Sequence, residues 1–274
     1  MNAAQPQAYT ANESKFHSLI DDPRSLVMQD AAVVSVVPGL SEAERIVDTF
    51  VAPSKTFTDI LRSASWWAPF VFILLVGVVF NIAVDKKVGF DQVSQQQIEK
   101  NHFAADRINA LPPDQKAAQL QASAARTRGM TYGSGVIILV FGVIVSLLWW
   151  ASLNFVLGAE TKFSQVLAVW MYAGLPKAFV YLIAAGLLFG GVGIDGFDIQ
   201  NPAGTNPGYY MTDSSAALKI ALGFFDVFGL WALALAVLGC AIIARKTISQ
   251  AALVVVGWWL FGMVLIAGVT AAFS

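Results

Sequence analysis

The chain has 274 residues, 57% of them hydrophobic and 13% charged, with 17 Lys and Arg against 18 Asp and Glu for a formal net charge of −1. An ordinary soluble domain is excluded, since such domains are about 45–50% apolar and about 25% charged. The balanced charge gives no basis for a nucleic-acid partner, and the single cysteine, Cys240, cannot form an intrachain disulfide.

Residues 1–40 mix Gln, Asn, Ser and Asp with scattered apolar residues and keep no helical period, which predicts a disordered N-terminal tail with transient order at most near Ala31–Val37. The first long apolar run starts at Trp66, too late for a cleaved secretory signal, so the tail is expected in the mature chain. Ser41 and Glu44 have the spacing of a capping box, opening a helix with Ile46, Val47, Phe50 and Val51 on one face. Pro53 ends it, and a second short helix carries Phe57, Ile60 and Leu61. Two amphipathic helices just before a span are expected to lie along the membrane interface.

Five charge-poor runs follow. Hydrocarbon is about 30 Å thick and offers backbone groups no water, so a run of about 20 apolar residues must cross it as a helix. The expected spans are 66–84, 133–157, 163–192, 216–244 and 251–273. Trp66 and Trp67 stand at a headgroup level, and Pro176 is the natural kink of the third span. The polar insert 85–129 is expected as a helical hairpin outside the bilayer: Asp91 caps one arm, Leu111-Pro112-Pro113 breaks it, and Asp114–Arg128 forms the other. Its apolar stripe of Val93, Ile98, Ile108 and Leu111 is thin, so the hairpin should rest against a partner surface or stay mobile. Residues 193–215 read as a loop. The expected fold is an all-α integral membrane protein: a five-helix transmembrane bundle in 41–274, with juxtamembrane amphipathic helices and an extramembrane helical hairpin.

With the N-terminus inside, Lys15, Arg24, Arg45, Lys55, Arg62, Lys162, Arg245 and Lys246 flank the inner side, against seven basic residues in 85–129 outside. The totals nearly cancel. The short loops alone favour N-in and C-out.

Lys177 and Asp226 fall deep within the third and fourth spans, at matched depth if those helices are antiparallel neighbours. A charge at mid-bilayer costs about 2.5–3.5 kcal/mol on insertion scales and normally finds a partner. A Lys177–Asp226 ion pair is the leading expectation, as a lock between helices or as a proton- or ion-coupling site; the alternative is that each snorkels separately. Asn154 also needs a partner, while Gly186/Gly190 and Gly129/Gly133 read as packing. His17 and His102 lie outside the spans, with no cysteine near either, so no zinc site is expected. Asp195, Asp198 and Asn201 could hold calcium, but a solvated loop is the ordinary alternative. No hydrolase elbow, phosphate-binding loop or His-Glu-x-x-His pattern appears, so no catalytic residue or cofactor is assigned and an enzyme is not expected.

The run Asp48-Thr49-Phe50-Val51-Ala52-Pro53-Ser54-Lys55-Thr56-Phe57, followed by Trp66-Trp67-Ala68-Pro69, resembles the start of the Yip family domain, in particular its prokaryotic branch. Lys162–Leu167, Tyr172–Pro176, Asp226-Val227-Phe228 with Trp231, and Gly239–Lys246 also look like the family pattern. The resemblance runs from about Ser41 to the C-terminus and implies a cytosolic N-terminus and a five-helix bundle. Eukaryotic relatives are associated with small trafficking GTPases, but their Asp-Leu-Tyr-Gly-Pro motif is absent; Trp66-Trp67-Ala68-Pro69 stands near its place. The expected function is a non-enzymatic scaffold that organises membrane or recruits a membrane or cytoplasmic protein. Its interfacial motif would be Phe50, Pro53, Phe57, Trp66 and Trp67, in a prokaryotic inner membrane. The alternative is a small transporter or channel using Lys177 and Asp226.

Overall fold

The computed structural model describes residues 39–211 and 214–273; the tail expected over 1–40, with Lys15, His17 and Arg24, lies outside them save for Gly39 and Leu40. Among the described residues all regular structure is helical, in the order α1 (Glu42–Val51), α2 (Pro53–Ile60), α3 (Trp67–Lys87), α4 (Phe90–Glu99), α5 (His102–Asn109), α6 (Pro113–Tyr132), α7 (Ser134–Ala151), α8 (Phe163–Ala173), α9 (Ala178–Phe189), α10 (Ala216–Gly223), α11 (Val227–Ala244) and α12 (Ile248–Phe273). Five helical stretches are long and apolar enough to cross a membrane: Trp67–Lys87, Ser134–Val156, Phe163–Phe189, Val227–Ala244 and Ile248–Ala272. The molecule is an all-helical, multi-pass integral membrane protein.

One of these crossings is interrupted, and another starts just after a break. Pro176 has no N–H to continue a helix, and α8 gives way to a tight turn at Leu175–Lys177 before α9 resumes. The stretch expected as one span over 216–244 is divided instead. It breaks at Phe224–Asp226, where the Asp226 side chain accepts from the Gly229 N–H at 2.8 Å and starts α11 afresh. An aspartate competes for backbone donors, and it favours a cap over a helix interior.

The core has two parts. The larger joins α2, α7, α8, α11 and α12 around Phe57, Trp149, Val169, Tyr172, Cys240 and Val255. Close approach is bought by small residues: Gly239 lets Val169 and Phe57 in, and Gly142 receives the Trp170 ring. The smaller part joins Phe80 and Val84 of α3, Phe90 and Val93 of α4, Ala184 and Leu188 of α9, and Phe197 and Ala203 of the 193–215 loop.

The polar insert therefore rests on its own bundle. It forms three helices, with α4 packed on α6, and α6 runs on to Tyr132 until Gly133 separates it from α7. Arg128 reaches Asp85 at 2.8 Å, Asn81 donates to the Thr131 carbonyl at 3.0 Å, and Lys100 meets Asp198 of the loop at 2.7 Å. The thin stripe found its cover inside the chain.

A second polar clip serves the turn after α7. A widened turn follows Ala151, with the Leu157 N–H donating to the Ser152 carbonyl five residues back. Asn154 then donates to the Thr161 carbonyl at 3.0 Å and accepts from its N–H at 2.9 Å, which supplies the partner its depth demanded.

A candidate functional site where two interrupted helices meet

The helix pair α1–α2, expected along the membrane interface, packs its inner face on the bundle and leaves its outer face exposed. The capping box at Ser41 is made: Glu44 N–H donates to the Ser41 hydroxyl, and Ser41 N–H donates to the Glu44 carboxylate at 2.8 Å. Pro53 occupies the first turn of α2, where its missing N–H costs nothing. Phe57 and Ile60 are fully buried against α11 and α8. Of the apolar stripe, Ile46, Phe50, Phe57 and Ile60 pack on protein, with Gly239 leaving room for the Phe57 ring, while Val47 and Val51 stay exposed.

Between the two short helices lies a buried charge. Arg45 is 1% exposed, its Nε donating to Asp59 at 2.7 Å and its Nη2 approaching the same oxygen at 2.5 Å. Burying a guanidinium is tolerable only when it is paired. Arg62 shares Asp59 from the solvent side at 2.9 Å. Burial pushes the Asp59 carboxyl up, but hydrogen bonds and charge from Arg62 and Arg45 outweigh it and hold the group below the ordinary carboxylate range. Thr49 and Thr56 both donate to the Arg45 carbonyl. Glu42 accepts from the Tyr172 hydroxyl of α8 at 2.7 Å, tying α1 to the third crossing.

One turn beyond Tyr172 the two helix breaks adjoin, since the Leu175–Lys177 turn packs on α11. Phe50 of α1 reaches the same place, with its ring 5.5 Å from Phe179 and 5.7 Å from Trp231. Phe179 also meets Phe228 at 5.6 Å, so both breaks are walled by aromatic rings. Lys177 and Asp226 come near enough for the carboxylate's field to reach the ammonium. The direct ion pair expected between them is not made: no nitrogen–oxygen approach within 4.0 Å joins them. The carboxylate is occupied by the Gly229 N–H and by the Thr205 hydroxyl, while the Val227 N–H donates to the Thr205 carbonyl at 3.1 Å. Lys177 keeps an exposed side chain.

Of the interfacial motif, Phe50 reaches this site; Pro53 opens α2, and Phe57 packs further along α11 at Gly239. Trp66 packs partly buried on the core edge, its ring 5.9 Å from Phe70, and Trp67 is exposed. Arg45, Asp59, Glu42, Tyr172 and Thr205 were missed by sequence reasoning. A usable signal existed for the first two, because Arg45 shares a helix face with Thr49 and a lone charge on an inward face asks for a counter-charge. Among the described residues, no group of three His, Cys, Asp or Glu could hold a metal ion. A family model described as the Yip1 domain matches residues 47–269. No curated protein and no solved structure matches the chain.

Proposed function

Because the chain belongs to the Yip1 domain family, we propose that it is a non-enzymatic membrane scaffold which recruits a protein partner along the outer edge of α1. The supporting observation is the two-faced character of that helix. Arg45 and Thr49 are buried on one side, while Val47 and Val51 are 59% and 74% exposed on the other. An apolar edge held rigid by a buried ion network loses little conformational entropy on binding. Phe50 and Phe57 serve this role indirectly, by fixing the helix pair to the bundle. An odd number of crossings together with the short-loop charges favours the N-terminus in the cytoplasm of a prokaryotic cell and the C-terminus outside. The test is native gel electrophoresis of gently solubilised membranes. A complex larger than the protein alone should be lost in Val47→Glu/Val51→Glu while helix content holds; an unchanged complex overturns the proposal.

One observation favours a second reading as a transporter. A crossing broken beside a cation, meeting a helix that starts afresh at an anion, resembles the discontinuous helices by which carriers hold their cargo. Asp226→Asn keeps the cap and removes the charge, so loss of solute or ion flux in reconstituted vesicles would select transport over the scaffold.

A further inference from the structure

The end of the bundle that carries the α7–α8 and α11–α12 turns holds cations that neither the scaffold edge nor the ion network uses. Val169 of α8 stands against Gly239 of α11, with Lys162 seven residues before the one and Lys246 seven after the other, and Phe57 of α2 meets the same glycine. Ile60, Val166 and Ala244 share one core cluster with the partly buried Ala64 and Ala159. Their neighbours Arg62, Lys162, Arg245 and Lys246 therefore emerge together. Arg62 is shared with Asp59, whereas Lys162, Arg245 and Lys246 join no ion pair among the described residues. The nearest acid in sequence is Glu160, also exposed and outside any ion pair.

Two placements run against local preference. Arg245 is the one non-glycine residue with positive φ among the described residues, at φ 53° and ψ 40°. It occupies the position after α11 where glycine is usual, closed by the Lys246 N–H donating to the Ala241 carbonyl at 3.1 Å. A side chain there strains the backbone. The α11 dipole favours a cation at that end and so accounts for part of this. It does not account for Lys162, which sits at the N-terminal cap of α8, where the dipole disfavours positive charge. An anion lying between these turns answers both placements.

We infer that Lys162, Arg245 and Lys246 bind the phosphate of an anionic lipid headgroup. A lipid is favoured over a soluble phosphate because the cations lie on the turns that join apolar crossings. Trp66 and the exposed Trp67 stand at the first crossing, the residue type that settles at headgroup depth. The proposal is independent of the scaffold edge and of which side the end faces.

The test uses the full chain in lipid nanodiscs of phosphatidylcholine with a minority of phosphatidylglycerol, counting the lipids retained by native mass spectrometry. Wild type should retain phosphatidylglycerol in preference, and each cation removed should lower that preference about fivefold. Arg245→Gly guards against misfolding, since glycine suits the left-handed turn: melting temperature should hold or rise while lipid retention falls. Lys162→Gln/Lys246→Gln should lower it further. Four results would overturn the inference. They are unchanged retention in these variants, equal loss in Lys86→Gln/Lys87→Gln/Arg126→Gln at another surface, displacement of the lipid by inorganic phosphate, and capture of an acidic protein in place of lipid.

Discussion

Removing Asp59 should release α1–α2 without unfolding the bundle. In Asp59→Ala, Arg45 stays 1% exposed but keeps only Glu42, at 3.7 Å, as a counter-charge. Stranding a buried charge costs about 3–5 kcal/mol. Against this, Phe57 and Ile60, both fully buried, contribute about 1.5–3 kcal/mol each to docking. The two figures nearly cancel, so the pair should open readily enough for Arg45 to reach water. Amide exchange over residues 42–60, followed by mass spectrometry, should then accelerate about a hundredfold to five-thousandfold, with α8 and α11 still protected. Arg45→Met removes the charge while keeping the stem, and it leaves Asp59 paired with Arg62, so it should cost far less. Arg45→Met/Asp59→Ala should recover most of the protection lost in Asp59→Ala. If the double variant exchanges as fast as Asp59→Ala alone, an uncompensated buried cation is not the cause and the reasoning fails.

Three further outcomes are expected. Asp59 is held below the ordinary carboxylate range in the folded state, so its contribution is complete above the unfolded value of about 4 and is lost as pH falls through the lower folded value. A spin-label distance between positions 47 and 249 should be constant from neutral pH down to about 5 and should broaden below about 4; broadening already near neutrality would contradict the assignment. Gly239→Ala would put its Cβ 2.7 Å from Val169 and 3.0 Å from the Phe57 ring, lowering stability by about 1–3 kcal/mol in thermal unfolding. Gly257→Ala meets nothing within 4 Å and should hold or raise the melting temperature. Asp226→Ala should lose about 1 kcal/mol from the α11 cap whereas Asp226→Asn stays close to wild type; equal losses would mean that charge, not capping, is what Asp226 supplies.

The five crossings were legible because hydrocarbon imposes a length and a polarity that composition alone reports. The kink at Pro176 was legible for a similar local reason: a missing N–H acts wherever the residue stands. The break before Asp226 was not, although Gly223 and an aspartate three residues before Gly229 were both in view. Apolar residues on either side make the two half-helices read as one run. The α1–α2 pair shows a different limit. Its period correctly gave two amphipathic helices, but an apolar face looks the same whether it meets lipid or protein. The inner part of that face meets protein through Gly239 and Tyr172, more than a hundred residues away, while Val47 and Val51 stay exposed. The cover of the polar insert was missed for the same reason, since Phe197 and Asp198 supply it from a distant loop. The pairing of Lys177 with Asp226 rested on matched depth and opposite charge, and neither counts the other donors competing for a carboxylate.

The most direct test of the scaffold account is site-specific photocrosslinking in native membranes, with the reactive residue placed at Val51 or, as the control, at Ile60. The account predicts one discrete protein adduct from the outward-facing Val51 and only an internal link to α11 from the buried Ile60. Adducts from Val51 to lipid alone would contradict it.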